Sequence, residues 1–101
     1  MIIESPYKEG DVVSIKLSSG EEMVARLEKE DKDHVVIRKP LMLVAGDKGA
    51  GLAPFMFTVD QEAKVKLHTN TIICIVKTSK DATDTYTQST TGLQVVQWQI
   101  L

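Results

Sequence analysis

Val12-Val13-Ser14-Ile15-Lys16-Leu17-Ser18-Ser19-Gly20-Glu21-Glu22-Met23-Val24-Ala25-Arg26-Leu27 is the stretch on which the fold turns. Val13, Ile15 and Leu17 alternate with Ser14 and Lys16, the period of two that sets one face of a strand on a core and the other in water. This predicts a strand over residues 11–17. Ser18-Ser19-Gly20-Glu21 is a run of small polar residues with a glycine able to take positive φ, the chemistry of a tight hairpin turn. In the return segment Met23, Ala25 and Leu27 point one way and Glu22, Val24, Arg26 and Glu28 the other. The chain therefore opens on an antiparallel hairpin with one apolar face.

Working outward, residues 29–33 are all charged and predict a turn. Residues 34–45 are dominated by Val35, Val36, Ile37, Leu41, Met42, Leu43 and Val44 and form a third strand, interrupted at Pro40, which lacks an N–H and belongs at an edge or a bend. Gly46-Asp47-Lys48-Gly49-Ala50-Gly51 holds three glycines in six residues and predicts a mobile loop tip. Beyond it Phe55, Met56, Phe57 and Val59 are expected as a strand antiparallel to residues 41–44, with Pro54 at its start. After a break at Asp60-Gln61-Glu62, Val65 and Leu67 alternate with Lys64, Lys66 and His68. Thr71-Ile72-Ile73-Cys74-Ile75-Val76-Lys77-Thr78 is β-branched almost throughout and reads as a strand buried on both faces. Ser79 is a candidate N-cap for a short helix carrying Ala82 and Tyr86 and ending near Gly92, although the many threonines suit an extended segment as well. Residues 93–101 read as a final strand or tail, with a bulge at Val95-Val96.

The 101 residues are 43% apolar and 26% charged, the balance of one soluble globular domain. Twelve basic against 14 acidic residues give a net charge of −2, which excludes a global field drawing the chain onto nucleic acid or anionic lipid. Any RNA contact must be local, and no DNA or membrane partner is expected. One cysteine makes no intrachain disulfide, and the early charges exclude a signal-peptide apolar region. These features predict a reducing, cytoplasmic setting.

Consecutive antiparallel strands of this kind commonly close into a small barrel. The segment Val13-Ser14-Ile15-Lys16-Leu17-Ser18-Ser19-Gly20, followed by Met23, Ala25, Leu27 and Asp31, resembles the first signature of the Sm-like family, which includes the Lsm proteins and bacterial Hfq. Leu67-His68-Thr69-Asn70-Thr71-Ile72-Ile73-Cys74-Ile75 resembles the second. The resemblance implies an all-β fold: a small, strongly bent, five-stranded antiparallel barrel with an extended hairpin between strands three and four and a short C-terminal helix or extended tail. One domain would fill residues 1–101, with the barrel at about 11–78 and an extension at 79–101. It also implies a homo-oligomeric ring, because Sm-like subunits pair the fourth strand of one with the fifth of the next. The small Sm-like proteins of T4-like cyanophages and marine metagenomes look nearest, especially in Gln88-Ser89-Thr90-Thr91-Gly92-Leu93. They supply no established activity, and a phage origin would place the chain in the host cytoplasm.

In the RNA-binding members a stacking residue and an asparagine after strand two hold a base, with an arginine and a glycine from the second signature. Here the stacking position falls on Lys32 or Asp33, the asparagine on His34 or Val35, and arginine-glycine becomes His68-Thr69. Lys32, His34, His68 and Asn70 are the candidate RNA contacts, the imidazoles stacking on a base or binding phosphate when protonated. Phe55, Phe57, Ile73 and Ile75 are the candidate oligomer interface. The apolar hairpin around the glycines either packs on another subunit, with Trp98 and Ile100 as a further anchor, or extends the core. His34, His68 and Cys74 lack zinc-site spacing, and Cys74 reads as a buried hydrophobe. The glycines of 46–51 lack the order of a phosphate loop, and no serine–histidine–acid arrangement can be drawn. No catalytic residue, metal or cofactor is expected. The chain reads as a non-enzymatic binding or scaffolding module, with a single-stranded RNA-binding ring as the alternative.

Overall fold

A computed structural model describes residues 6–91. The fold is mainly β, an antiparallel sheet with one short helix: β1 (Val12–Leu17), β2 (Glu22–Glu30), β3 (His34–Gly46), β4 (Gly49–Pro54), β5 (Lys64–His68), β6 (Ile72–Lys77) and α1 (Lys80–Thr90). A single 3₁₀ turn, Thr69–Thr71, joins β5 to β6. The sheet runs β4-β3-β2-β1-β6, and β5 also pairs with β3.

The opening hairpin forms as its sequence dictates. The Gly20 N–H donates to the Leu17 carbonyl at 2.9 Å and the Leu17 N–H to the Glu21 carbonyl at 2.9 Å, while Gly20 takes φ 109°, which a side chain would oppose. The alternation then builds two layers. Val13, Ile15, Leu17, Met23, Ala25, Leu27, Val35 and Ile37 make the main core on one face. Val12, Val24 and Leu41 cluster with Tyr86 of α1 on the other.

Pro40 sits at a bend, inside β3. Val24 faces Leu41 and Arg26 faces Arg38, so β3 spends one more residue than β2 across this step. Lys39 takes φ 51° there. A bulge reverses the alternation downstream of it, which is why Val35 and Ile37 and then Met42 face the main core while Leu41 faces the helix.

Three expectations are corrected. The partner of residues 41–44 is β4, pairing Leu41 with Pro54 and Leu43 with Leu52, and residues 55–59 lie outside any strand. The glycine segment is accordingly a hairpin end rather than a loose tip: Gly46 pairs with Gly49, Asp47 and Lys48 make the turn, and Gly49 supplies φ 111°. A turn this short carries the ladder straight on, so Pro54 closes a strand instead of opening one. Finally, residues 71–78 are not buried on both faces. Among the described residues β6 pairs only with β1, and as an edge strand there it leaves Ile73 64% and Val76 57% exposed. Cys74 is exposed for the same reason, not a buried hydrophobe.

Residues 80–90 are helical, capped by Ser79, whose hydroxyl accepts from the Ala82 N–H at 3.3 Å. Threonine is a poor helix former, and burial supplies what propensity does not. Tyr86 is fully buried and its hydroxyl donates to the Lys39 carbonyl at 2.7 Å, which ties α1 to the β3 bulge. Burial pushes the phenol up to about 12, against the opposing pull of the Arg26 and Arg38 guanidiniums. The Ser14 and Thr78 hydroxyls share a 2.8 Å hydrogen bond that fixes the start of the helix to β1. The expected strand or tail at 93–101, its bulge, and Trp98 and Ile100 lie outside the described residues.

Candidate functional site

The register of β3 against β5 decides where the histidines go. His34 and His68 are direct cross-strand partners, followed by Val36 with Lys66 and Arg38 with Lys64. The two imidazole centroids are 4.8 Å apart, with the rings inclined at 49°. Residues 34 positions apart in the chain thus share one spot, His68 exposed and His34 half-buried. The alternative assignment of the asparagine position to Val35 gives no surface group, because Val35 is fully buried in the main core.

Thr69 holds this corner together. Its N–H donates to the Asp33 carbonyl at 3.0 Å, and its hydroxyl reaches the Lys32 and Asp33 carbonyls at 3.1 and 3.2 Å. The Asp31 N–H donates to the His34 carbonyl at 2.8 Å, closing the turn on its other side. Lys32 and Asn70 are exposed on these two connections, beside the histidine pair in sequence. Sequence reading grouped all four as candidate RNA contacts but did not foresee Thr69 as the clamp. Its only signal was a hydroxyl residue standing where the resembled motif has glycine.

Charge on this face is mixed. Glu28 of β2 lies 3.1 Å from Arg38 Nε and 3.6 Å from Lys64 Nζ, a bridge that relieves the like charges set opposite one another by the β3–β5 register. Lys29 pairs with Asp31 at 3.8 Å. Among the described residues no group of three or more His, Cys, Asp or Glu side chains converges to hold a metal ion.

The apolar candidates divide into two kinds. Phe55 and Ile75 pack against the main core. Phe57 is 54% exposed and Ile73 still more, joined by Met56, Val59 and, on β6, Val76. Leu43 and Val44 leave the far end of the β3–β4 hairpin apolar and exposed. Each of β5 and β6 pairs on one side only, so both present an unpaired edge among the described residues. No helix among them is long and apolar enough to cross a membrane.

A scan against protein-family models finds no match, and no curated protein matches the chain.

Proposed function

We propose that this chain is a non-enzymatic Sm-like module that assembles with copies of itself, the free edge of β5 in one subunit pairing with the free edge of β6 in the next, and that the assembly serves as a binding or scaffolding platform. The observation that supports this reading is that β5 and β6 each pair on one side only among the described residues. An edge strand offers a row of backbone donors and acceptors and is a template for strand addition. β6 adds an incentive, since Ile73 and Val76 lie exposed on it. Two different edges on one subunit make a head-to-tail contact, and such contacts close into rings when the rotation per subunit allows.

A second reading is favoured by the joined imidazoles: the assembly binds single-stranded RNA at Lys32, His34, His68 and Asn70. Imidazoles stack on bases and, when protonated, hold phosphate. The other exposed groups of the corner include carboxylates, so this contact is local and salt-sensitive.

One experiment separates the two. Light-scattering mass on a size-exclusion column, with absorbance at 260 and 280 nm across the peak, gives a multi-subunit, protein-only peak for the scaffold. Excess 260 nm absorbance on that peak turns the assignment to RNA. Absence of RNA binding at low salt and pH 6 removes the second reading, and a monomer at every concentration removes the first.

A further inference from the structure

The assembly reading leaves the histidine pair with chemistry of its own. His34 and His68 face each other across two hydrogen-bonded strands, their ring centroids 4.8 Å apart. Neither ring has a hydrogen-bond or ion-pair partner among the described residues, so their nitrogens are open to a ligand. The 49° inclination is far from a parallel stack. Rotation about the side-chain torsions lets one nitrogen of each ring approach a common point, where a metal ion bonds imidazole at about 2.0–2.1 Å. The backbone under the pair is already fixed, because Thr69 ties the end of β5 to the turn that precedes β3. Little ordering remains to oppose binding.

We propose that His34 and His68 form a two-nitrogen chelating site for a divalent transition-metal ion. Imidazole donors select copper, nickel or zinc over magnesium and calcium, which take oxygen ligands. Cu2+ binds tightest in the general affinity order for nitrogen sites. Two protein donors leave the remaining positions to water, so the ion exchanges rather than holding the fold together. The convergence of three or four side chains that marks a structural zinc site is not needed for such a chelate.

The test is Cu2+ titrated into the full chain, followed by electron paramagnetic resonance. The expected result is one Cu2+ per chain with hyperfine coupling to two nitrogens, and no displacement by Mg2+. His34→Ala and His68→Ala, each checked for an unchanged circular dichroism spectrum, should each weaken binding at least about tenfold and lose the two-nitrogen signature. Absence of stoichiometric binding, a one-nitrogen signal, or binding unchanged in either variant would overturn the inference. The site lies within one copy, so its outcome is independent of the mass measurement that decides assembly.

Discussion

β1 and β6 are six-residue strands of similar composition, Val-Val-Ser-Ile-Lys-Leu and Ile-Ile-Cys-Ile-Val-Lys, and they are hydrogen-bonded to each other. Yet Val13 and Ile15 are fully buried, while Ile73 and Val76 stand more than half exposed. The difference lies in neighbours. β1 is flanked by β2 and β6 and covered on one face by the main core and on the other by α1, whereas among the described residues β6 has β1 alone as a strand neighbour. β6 also carries an extra residue in its pairing, as Lys16 faces Cys74 and Leu17 faces Ile72, which leaves Ile73 bulged. A bulge on an edge discourages indiscriminate strand addition, so a partner for β6 must fit its shape. The same apolar content is thus buried in one strand and left exposed in the other.

The largest effect in this contrast belongs to β1. Ile15→Ala removes fully buried volume from the main core and should cost about 2–5 kcal/mol in urea unfolding. A cost below 1 kcal/mol would mean that the core is not where the alternation places it.

Tyr86 extends the buried side of the comparison to the helix. Its raised phenol means that the folded chain keeps a proton which the unfolded chain releases above about pH 10. Stability from this group is complete below pH 10 and lost as the pH climbs toward 12, a change of about 2–3 kcal/mol. Tyr86→Phe should lose about 1 kcal/mol at neutral pH with the hydrogen bond to Lys39. It should then gain on the native chain between pH 10 and 12, as denaturant midpoints measured in parallel would reveal. Parallel pH curves for the two proteins would refute the burial of the phenol.

On the exposed side, Ile73→Ala should change the unfolding free energy of the isolated subunit by less than about 0.5 kcal/mol. Its effect is expected instead on the concentration at which subunits associate, read by analytical ultracentrifugation. A large loss of subunit stability with unchanged association would reverse the contrast between β1 and β6.

The contrast also explains what could be read from the chain. The β1–β2 hairpin was legible because strict alternation around one glycine fixes both register and face, and Ser79 was legible because capping is a local contact. His34 and His68 were grouped as candidate contacts, but the register that sets them opposite each other depends on a long-range β3–β5 pairing that alternation alone does not assign. The burial of residues 71–78 was misjudged because β-branched composition records a preference for strand and carries no count of neighbours. The β4 assignment failed for a different reason. Gly49, Ala50 and Gly51 have weak strand propensity, but a two-residue turn and the backbone ladder to β3 override it, and the more apolar Phe55-Met56-Phe57 is left outside the sheet. The change of facing at Lys39-Pro40 depends on a bulge, and one inserted residue is invisible to periodicity until its partner strand is known.

If another copy occupies the outer edges of β5 and β6, as proposed, amide hydrogen exchange measured across a dilution series shows it most directly. At high concentration the amides of Lys64–His68 and Ile72–Lys77 that point away from β3 and β1 should be protected, and dilution should release them while β1 stays protected. Fast exchange at those edges at every concentration, or protection that dilution leaves unchanged, would contradict it.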